Sequence, residues 1–567
     1  MVKTSTELWL SKLIIATLFF TSLAITPFLT FDPFNPIKLL ILTTFAGACL
    51  GFVLLVIDKA LFKDNLLPIL ALLSFVLFII LSTIFAEQKL VTTLFGITGR
   101  NTGLIAYLAL AILYLTSLFI SSEKLAIKFA KTMIFVGVLT VIYCWVQILG
   151  LDPAPWSQEN WVMSFFSNPN FVSSFLGLSS APTFAYLLSS STQKKYKLFL
   201  LIYILLLFST IYKTYSIQGL IVMGLVVSIV IYLKVNSLEK FLKFRKYYIS
   251  LLLIGMIWLI LDILQKTPGD SVIYKLSVSS RGDFWRAAWA MGLDKPIFGW
   301  GLDSLRDRFE LYRDATQAGR GEGHMVGEIA HNVFLDLFVG GGFTLLFSYI
   351  TIIIVSFFAV KNLIFRTYPF NVGFVTVFSV SVGYLAQAII SANHLGLAVW
   401  GWVSIGVLAG YQKNLLSNLQ VKSASSGLNK IKIGPIKLRQ KRVEAYTAIL
   451  GLILGFISSL PLYLVNAKQQ SATNNKNADQ IYASALAWPQ DMLKMCIFAE
   501  RLKSGGYEAQ ALTIALEAQK LTPYSVVPLK VLSTFSSLSP QEKNDIERKI
   551  KQLDPYYEIA ENKRLVK

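Results

Sequence analysis

Long runs of apolar residues constrain the fold of this chain more than any other feature. About thirteen segments are nearly free of charge, and most reach the roughly 17–25 residues that a helix needs to cross a bilayer. They are 10–29, 37–57, 66–85, 103–121, 132–150, 171–190, 198–212, 217–233, 248–264, 333–360, 371–391, 395–411 and 444–466. Hydrophobic residues make up 54% of the chain and charged residues only 15%. The sequence therefore predicts an all-α, polytopic transmembrane bundle of about 12–14 spans.

The net charge of +20 would suit a nucleic-acid-binding protein if it were gathered on one surface. It lies instead mainly in alternate loops, while the intervening loops, such as 150–170, are poor in lysine. The basic loops include 59–63, 124–131, 194–197, 234–246, 361–366 and 413–442. This pattern predicts that the basic loops and the N-terminus are cytoplasmic, and it gives nucleic acid no role as a partner. An odd number of spans then places the tail outside.

The same pattern divides the chain into six regions. They are an N-terminal transmembrane region (1–264), a large extracytoplasmic loop (265–332), a second transmembrane part (333–411), a basic cytoplasmic loop (412–443), a last span (444–466) and an extracytoplasmic tail (467–567). Three prolines in the tail, at positions 489, 523 and 555, are separated by 34 and 32 residues. That spacing is typical of tetratricopeptide repeats, so we expect an α-solenoid of about three helical hairpins. Ser539-Pro540-Gln541-Glu542 predicts a capped helix start.

Unusual polar residues concentrate on the predicted outer side, where function in a membrane protein is expected. The candidates are Arg100 in Gly96-Ile-Thr-Gly-Arg-Asn-Thr-Gly103, Asn168 and Asn170 in Ser-Asn-Pro-Asn, Gln218, Arg281, Arg286, His324, His331 and His394. Arginine on this side opposes the charge rule and suits a multiply anionic ligand, because a guanidinium binds phosphate oxygens in pairs. Each arginine could instead pair with a loop carboxylate or reach lipid headgroups. The span interiors are almost bare of ionisable residues, which disfavours transport.

Three sequence motifs follow one another in this outer region. They are Ser280-Arg-Gly-Asp-Phe-Trp-Arg-Ala-Ala-Trp289, Asp294-Lys-Pro-Ile-Phe-Gly-Trp-Gly301 and Ala330-His-Asn-Val-Phe-Leu-Asp-Leu-Phe-Val-Gly-Gly341. Their order resembles the signature of the O-antigen ligase and polymerase family, and the likeness extends over roughly residues 10–411. One departure is that many members carry Ser-Arg-Gly where this chain has Ser216-Ile-Gln-Gly219, so an expected outer arginine is missing.

The resemblance implies an integral-membrane glycosyltransferase of the GT-C type. Such enzymes transfer a glycan from a polyprenyl (undecaprenyl) diphosphate carrier to a lipid, protein or glycan acceptor on the outer face of the bacterial cytoplasmic membrane. The anion expected by the arginines would then be a diphosphate. Ligase and polymerase activities both remain open, and a transporter, a flippase or a non-catalytic scaffold could also have this many spans. A protein partner could bind the tail.

Roles follow for the individual residues. We expect Arg281 and Arg100 to bind the diphosphate, with Arg286 in support. Five residues separate Arg281 from Arg286, so they lie about 140° apart on a helix and would not both bind one phosphate. His331 is the candidate general base, because a helix N-terminus disfavours imidazolium; it could instead cap the helix.

Asn332, Asn168, Asn170, Gln218 and His324 are the expected supporting residues of this site. We expect no cofactor and no metal, since arginine supplies the positive charge that Mg²⁺ gives many glycosyltransferases.

Overall fold

The computed structural model describes residues 4–56, 59–154, 156, 161–238, 245–263, 266, 276–319, 327–365, 369–424 and 436–565. The regular elements in these ranges are all helices, as predicted. The first eleven helices are α1 (Thr4–Leu23), α2 (Asn35–Val56), α3 (Lys59–Asp64), α4 (Leu66–Ile84), α5 (Leu90–Phe95), α6 (Leu104–Phe119), α7 (Glu123–Ile148), α8 (Pro169–Leu188), α9 (Lys194–Lys213), α10 (Ile217–Asn236) and α11 (Arg245–Ile263). The next eight are α12 (Leu276–Asp294), α13 (Leu305–Tyr312), α14 (Ala315–Ala318), α15 (Val333–Ala359), α16 (Lys361–Phe365), α17 (Val372–Ile390), α18 (Leu395–Ala424) and α19 (Ile436–Asn475). The tail adds α20 (Ala478–Ala485), α21 (Met492–Ser504), α22 (Glu508–Leu521), α23 (Val526–Ser533), α24 (Pro540–Leu553) and α25 (Tyr557–Leu565).

The apolar segments fold into helices of membrane-spanning length. Within the described residues, ten helices are long and apolar enough to cross a bilayer: α1, α2, α4, α7, α8, α9, α10, α15, α17 and α19. Two shorter apolar helices, Leu104–Phe119 and Leu395–Tyr411, match two further predicted segments, and α11 covers the predicted segment 248–264. The chain is a multi-pass membrane protein, and its membrane helices share one large apolar core.

Helices α2 and α19 approach so closely that their backbones touch. Each helix carries two glycines four residues apart, Gly47 and Gly51 on α2 and Gly451 and Gly455 on α19. A Cβ added to Gly451 would lie 2.1 Å from the carbonyl oxygen of Gly47. Small residues at this spacing let transmembrane helices pack at short distance. This pairing fixes the last span, which leads into the tail, against the second span of the chain.

Helix α15 is broken near its start by Gly342, which has φ +66° and ψ −168°. The turn 296–301 fills the break: the Trp300 N–H donates to the Val339 carbonyl at 2.9 Å, and the Phe343 N–H donates to the Pro296 carbonyl at 2.7 Å. A side chain at Gly342 would collide with the turn, since its Cβ would lie 2.4 Å from the Ile297 oxygen. The Asp-x-Pro-x-x-Gly-x-Gly motif therefore shapes the start of α15.

The large loop has a small core of its own between the membrane helices and the tail. It packs α12 and α13 against the turn 296–301 and the start of α15. Its buried apolar residues are Phe284, Ala287, Ala288, Met291, Trp300, Leu305, Phe309, Ala330 and Val339. This core orients α12, which carries two candidate arginines, relative to the His331 segment.

The tail helices form a separate apolar core together with the end of α19. Each of the three prolines lies in a turn between two helices, and the helices from α20 to α24 pack consecutively against each other. The predicted cap is confirmed: Ser539 and Glu542 form a reciprocal capping box at the start of α24. A tetratricopeptide-type solenoid stays a prediction.

The tail docks onto the large loop through a buried ion pair. Arg313 donates to Asp554 of the tail through two nitrogens, at 3.0 and 2.6 Å. The loop and the tail therefore share one side of the membrane, and the outer side stays a prediction. Helix α19 runs without interruption from Ile436 to Asn475, so the predicted borders after residues 443 and 466 both fall inside it.

The close contact of α2 and α19 gives a stability prediction. The change Gly451→Ala should lower the free energy of unfolding by about 2–3 kcal/mol, because its methyl group must push two backbones apart. The matched control is Gly224→Ala on α10, where an added Cβ meets nothing within 4 Å; it should be neutral or stabilising, since alanine favours a helix over glycine. Denaturation midpoints in detergent measure both. Equal midpoints for the two variants would contradict the close packing.

Candidate functional site

Residues 96–103, here called the Arg100 loop, join α5 to α6. A carboxylate from the large loop holds this segment: Asp303 accepts from the Ile97 N–H at 3.1 Å and from the Thr102 hydroxyl at 3.2 Å. The Asn101 side chain donates to the Phe95 carbonyl at 3.3 Å. These bonds fix the backbone on both sides of Arg100. Asp303 has no recognisable motif of its own, so the sequence did not reveal this role.

The guanidinium of Arg100 is only partly neutralised by the protein. One nitrogen lies 3.6 Å from a carboxylate oxygen of Glu328, whose side chain is 40% exposed. The guanidinium also lies over the Phe171 ring, 5.6 Å from its centroid. Its Nε is buried and has no hydrogen-bond partner among the described residues. Arg100 thus keeps donor capacity for an anion.

Arg281 lies near the start of α12 and is 9% exposed. One guanidinium nitrogen donates to Gln218 Oε1 at 3.4 Å, and no carboxylate in the described ranges forms an ion pair with it. Burial lowers the pKa of Arg281 to about 10, so the group stays charged at neutral pH. A buried charge without a counterion costs several kcal/mol. An anionic ligand would remove that cost.

His331 directly precedes the capped start of α15. Its backbone is left-handed, with φ +51°, a conformation that costs free energy in a residue other than glycine and often marks a functional position. The ring stacks on Phe284, with centroids 5.6 Å apart. Burial, and then the positive charges of Arg281 and Arg100, lower the pKa of His331 to about 3. The imidazole is therefore neutral at pH 7 and lies in the field of both arginines.

Asn332 is the N-cap of α15. Its side-chain oxygen accepts from the backbone N–H groups of Phe334 at 3.0 Å and Leu335 at 3.1 Å. In the same turn, Asp336 accepts from the Ala330 N–H at 2.8 Å. The two interactions hold the backbone on both sides of His331.

Arg286 has different neighbours from Arg281. It donates to Asp314 at 2.7 Å and pairs with Asp283, and its side chain is about half exposed. Two carboxylates already neutralise it, and its described hydrogen bonds and ion pairs do not include Arg281, Arg100 or His331. Its supporting role stays a prediction. His324 lies outside the described residues.

The predicted amides join the N-terminal ends of α8 and α10. Asn168 caps α8 and accepts from the Asn170 N–H at 2.8 Å. Asn170 Oδ1 accepts from the Ser216 hydroxyl at 2.7 Å, and Gln218 donates to Ser174 at 2.8 Å. Because Gln218 also accepts from Arg281, this network reaches the buried guanidinium.

His394 is 1% exposed and lies deeper than a position in an outward turn suggested. Its Nδ1 accepts from the Gly396 N–H at 3.2 Å, and its ring stacks on Phe171 with centroids 4.8 Å apart. Burial, and then the charges of Lys38 and Arg100, lower the pKa of His394 well below its usual value. Phe171 thus contacts both His394 and Arg100.

Lys38 is a buried cation near the site that sequence reasoning passed over. It is fully buried, and its Nζ donates to the carbonyl oxygens of Thr21 at 2.9 Å and Ser22 at 2.8 Å, at the end of α1. A cation at this end satisfies the free carbonyls of the helix. The available signal was a single lysine at the start of an apolar segment.

Metal ligands are not grouped in the described part of the chain. No cluster of three or more histidine, cysteine, aspartate or glutamate side chains that could hold an ion occurs there.

Comparison with protein families finds a match for part of the chain. Residues 178–350 match the family model described as O-antigen ligase. The matched segment contains Gln218, α12, the turn 296–301 and the His331-Asn332 pair, whereas the Arg100 loop, Asn168, Asn170 and the tail lie outside it. No curated protein matches the chain. The match confirms the resemblance indicated by the three motifs.

The cap of α15 can be tested separately from the chemistry. The change Asn332→Ala should destabilise the protein by about 1 kcal/mol, because two N–H groups lose their acceptor. The matched variant Asn332→Ser keeps a capping oxygen and should unfold close to wild type. The midpoints of thermal unfolding in detergent compare the three proteins. An alanine variant as stable as the serine variant would argue against the cap.

Proposed function

We propose that this multi-pass chain, whose segment 178–350 matches the O-antigen ligase family model, transfers a glycan from a polyprenyl diphosphate carrier to an acceptor. The reaction would take place on the outer face of the bacterial cytoplasmic membrane, where the charge pattern puts the large loop. One observation carries the proposal: Arg281 is buried and charged, and no carboxylate of the described residues pairs with it. Arg100 also has spare donors, and it lies close enough to His331 for its charge to lower the pKa of that residue.

The reaction needs a positively charged group that stabilises the leaving diphosphate and a base that accepts a proton from the acceptor hydroxyl. The bond between the anomeric carbon and a diphosphate oxygen breaks, so negative charge grows on the leaving diphosphate. Arg281 and Arg100 stabilise that charge through hydrogen bonds in a site of low dielectric constant. The acceptor hydroxyl forms the new bond to the anomeric carbon and gives up its proton. His331 takes that proton as general base.

The donor itself would prepare His331 for this step. In the free protein, the two arginines suppress protonation of the imidazole. A bound diphosphate brings negative charge that offsets them, and this raises the pKa of His331 toward the ordinary histidine range. The ring therefore becomes a stronger base once the donor is in place.

The remaining predicted residues act around these three. Gln218 orients Arg281 through its side-chain oxygen, and Asn332 fixes the backbone of His331. Asn168 and Asn170 hold the ends of α8 and α10, and Arg286 supports α12 through Asp283 and Asp314. The arginines supply the positive charge, so we propose that the transfer does not require a metal ion.

Ligase activity, with a separate acceptor, is favoured over polymerisation by the position of the tail. The tail is docked on the loop that carries Arg281, through the Arg313–Asp554 pair. A helical domain docked on this loop offers a surface for a foreign acceptor or for a protein partner. A polymerase would need only a second copy of its own donor.

Glycan analysis of a deletion strain tests the proposed function. Loss of a ligase should leave complete carrier-linked glycan accumulating, whereas loss of a polymerase should leave short units attached to the acceptor. Complementation with Arg281→Lys should restore less than about a tenth of the transfer, because lysine keeps the charge and loses the paired donors. Glycan transfer by the purified protein in the presence of a chelator tests whether the reaction requires a metal ion. Near-normal transfer by Arg281→Lys would contradict the role of Arg281 in binding the diphosphate.

The behaviour of His331 gives a pH prediction. The donor diphosphate is esterified at both ends and does not titrate near neutrality, so pH dependence reports the protein. For the free enzyme, kcat/KM should stay level from about pH 8 down to about pH 5, because the pKa of His331 is about 3. For the donor complex, kcat should fall at a higher pH than kcat/KM does, because the diphosphate raises that pKa.

The control for this profile is the variant His331→Gln. Its kcat should be low and should not fall further as the pH is lowered. A kcat/KM that falls through about pH 6.5, as for an unperturbed histidine, would contradict the assignment of His331.

A further inference from the structure

A carboxylate of the tail reaches the Arg100 loop. Asp491 is the N-cap of α21, and its Oδ1 accepts from the Lys494 N–H at 3.1 Å. Its Oδ2 is used differently: it accepts from the Thr98 N–H at 3.0 Å and from Arg306 at 3.3 Å. A helix cap needs only one oxygen. The second oxygen joins the tail to a loop segment two residues from Arg100.

Two carboxylates from separate parts of the chain therefore hold this loop. Asp303 of the large loop binds Ile97 and Thr102, and Asp491 of the tail binds Thr98 between them. Next to the loop, the Trp488 ring packs edge-on against Phe95, with centroids 5.4 Å apart. The loop that carries Arg100 is thus bonded to a residue almost four hundred positions away in the sequence.

The charge on Asp491 is maintained although the group is largely buried. Its side chain is 12% exposed and that of Arg306 is 3% exposed. Burial opposes ionisation, but the charges of Arg306 and Lys494 outweigh it and lower the pKa of Asp491 below its usual range. Arg306 also pairs with Asp307 at 3.2 Å. The contact with Asp491 therefore joins the tail to a charge pair that already exists in the large loop.

We propose that Asp491 is a positioning residue of the donor site: through Thr98 and Arg306, it fixes the loop that presents Arg100 to the diphosphate. The tail is then a structural part of the donor site in addition to any acceptor or partner that it binds. This inference rests on the proposed role of Arg100 in diphosphate binding. A contact between tail and loop that is only structural would contribute to stability without affecting donor binding. The Arg313–Asp554 pair is such a contact and serves as the control.

The test compares Asp491→Asn with Asp554→Asn in the full-length protein in nanodiscs, with undecaprenyl diphosphate as the probe. The side-chain oxygen of asparagine at 491 can still cap α21. Its NH₂ group, however, would face the Thr98 N–H and the Arg306 guanidinium, which are donors too, so both hydrogen bonds would be lost. We expect the Kd for the probe to rise about five- to twentyfold, because one or two hydrogen bonds to a charged group are lost. The Asp554→Asn variant should lose thermal stability and keep its Kd within about twofold. Hydrogen exchange of 96–103 should quicken only in Asp491→Asn.

A double-mutant cycle separates positioning from general damage. If Asp491 acts through Arg100, adding Asp491→Asn to Arg100→Ala should leave the Kd of Arg100→Ala unchanged. Additive effects, or wild-type binding by a folded Asp491→Asn protein, would overturn the inference. If Asp491→Asn does not fold, Asp491→Ser replaces it, since serine caps the helix and is too short to reach Thr98. Failure of wild-type protein to bind the probe would instead overturn the proposed function.

Discussion

A guanidinium buried beside a bilayer needs a negative partner, because the interior of the protein cannot solvate its charge. The arginines of the large loop meet that need in different ways. Arg306 and Arg313 pair with carboxylates of the tail, at 3.3 Å and 2.6 Å, and Arg286 pairs with carboxylates of its own loop. Among the described residues, Arg281 has only an amide. The paired arginines hold the large loop together and join it to the tail, and the unpaired one is the position at which we propose that an anion binds.

The structure around Arg281 depends on a broken helix and on close contacts between helix backbones. The break of α15 at Gly342 admits the turn 296–301 and orients the segment that carries His331. The glycines of α2 and α19 fix the last span, and with it the tail, against the bundle. Catalytic groups are held by rigid elements in this way when the geometry of a reaction must be kept within a few tenths of an ångström. The site is thus built jointly by membrane helices, loop and tail.

Sequence patterns revealed the local features of this protein and missed the distant pairings. Span-length apolar runs dictate helices because the bilayer permits little else, and the five-residue spacing of Arg281 and Arg286 is enough to give them different neighbours on α12. Asp303 and Asp491 were missed as anchors of the Arg100 loop, since each lies far along the chain from that loop and carries no motif. Lys38 was hidden inside an apolar segment. Pairings across a fold depend on three-dimensional packing, which one sequence does not encode in any local pattern.

The central claim is that the diphosphate of a lipid carrier binds between Arg281 and Arg100, next to a neutral His331. An experimental structure of the full-length protein in nanodiscs with undecaprenyl diphosphate tests it most directly. The account predicts diphosphate density within hydrogen-bond distance of both guanidinium groups, about 2.7–3.2 Å, with the terminal phosphate facing the imidazole. Density for the diphosphate at Arg286 or in a cytoplasmic basic loop, with Arg281 unchanged and unoccupied, would contradict it.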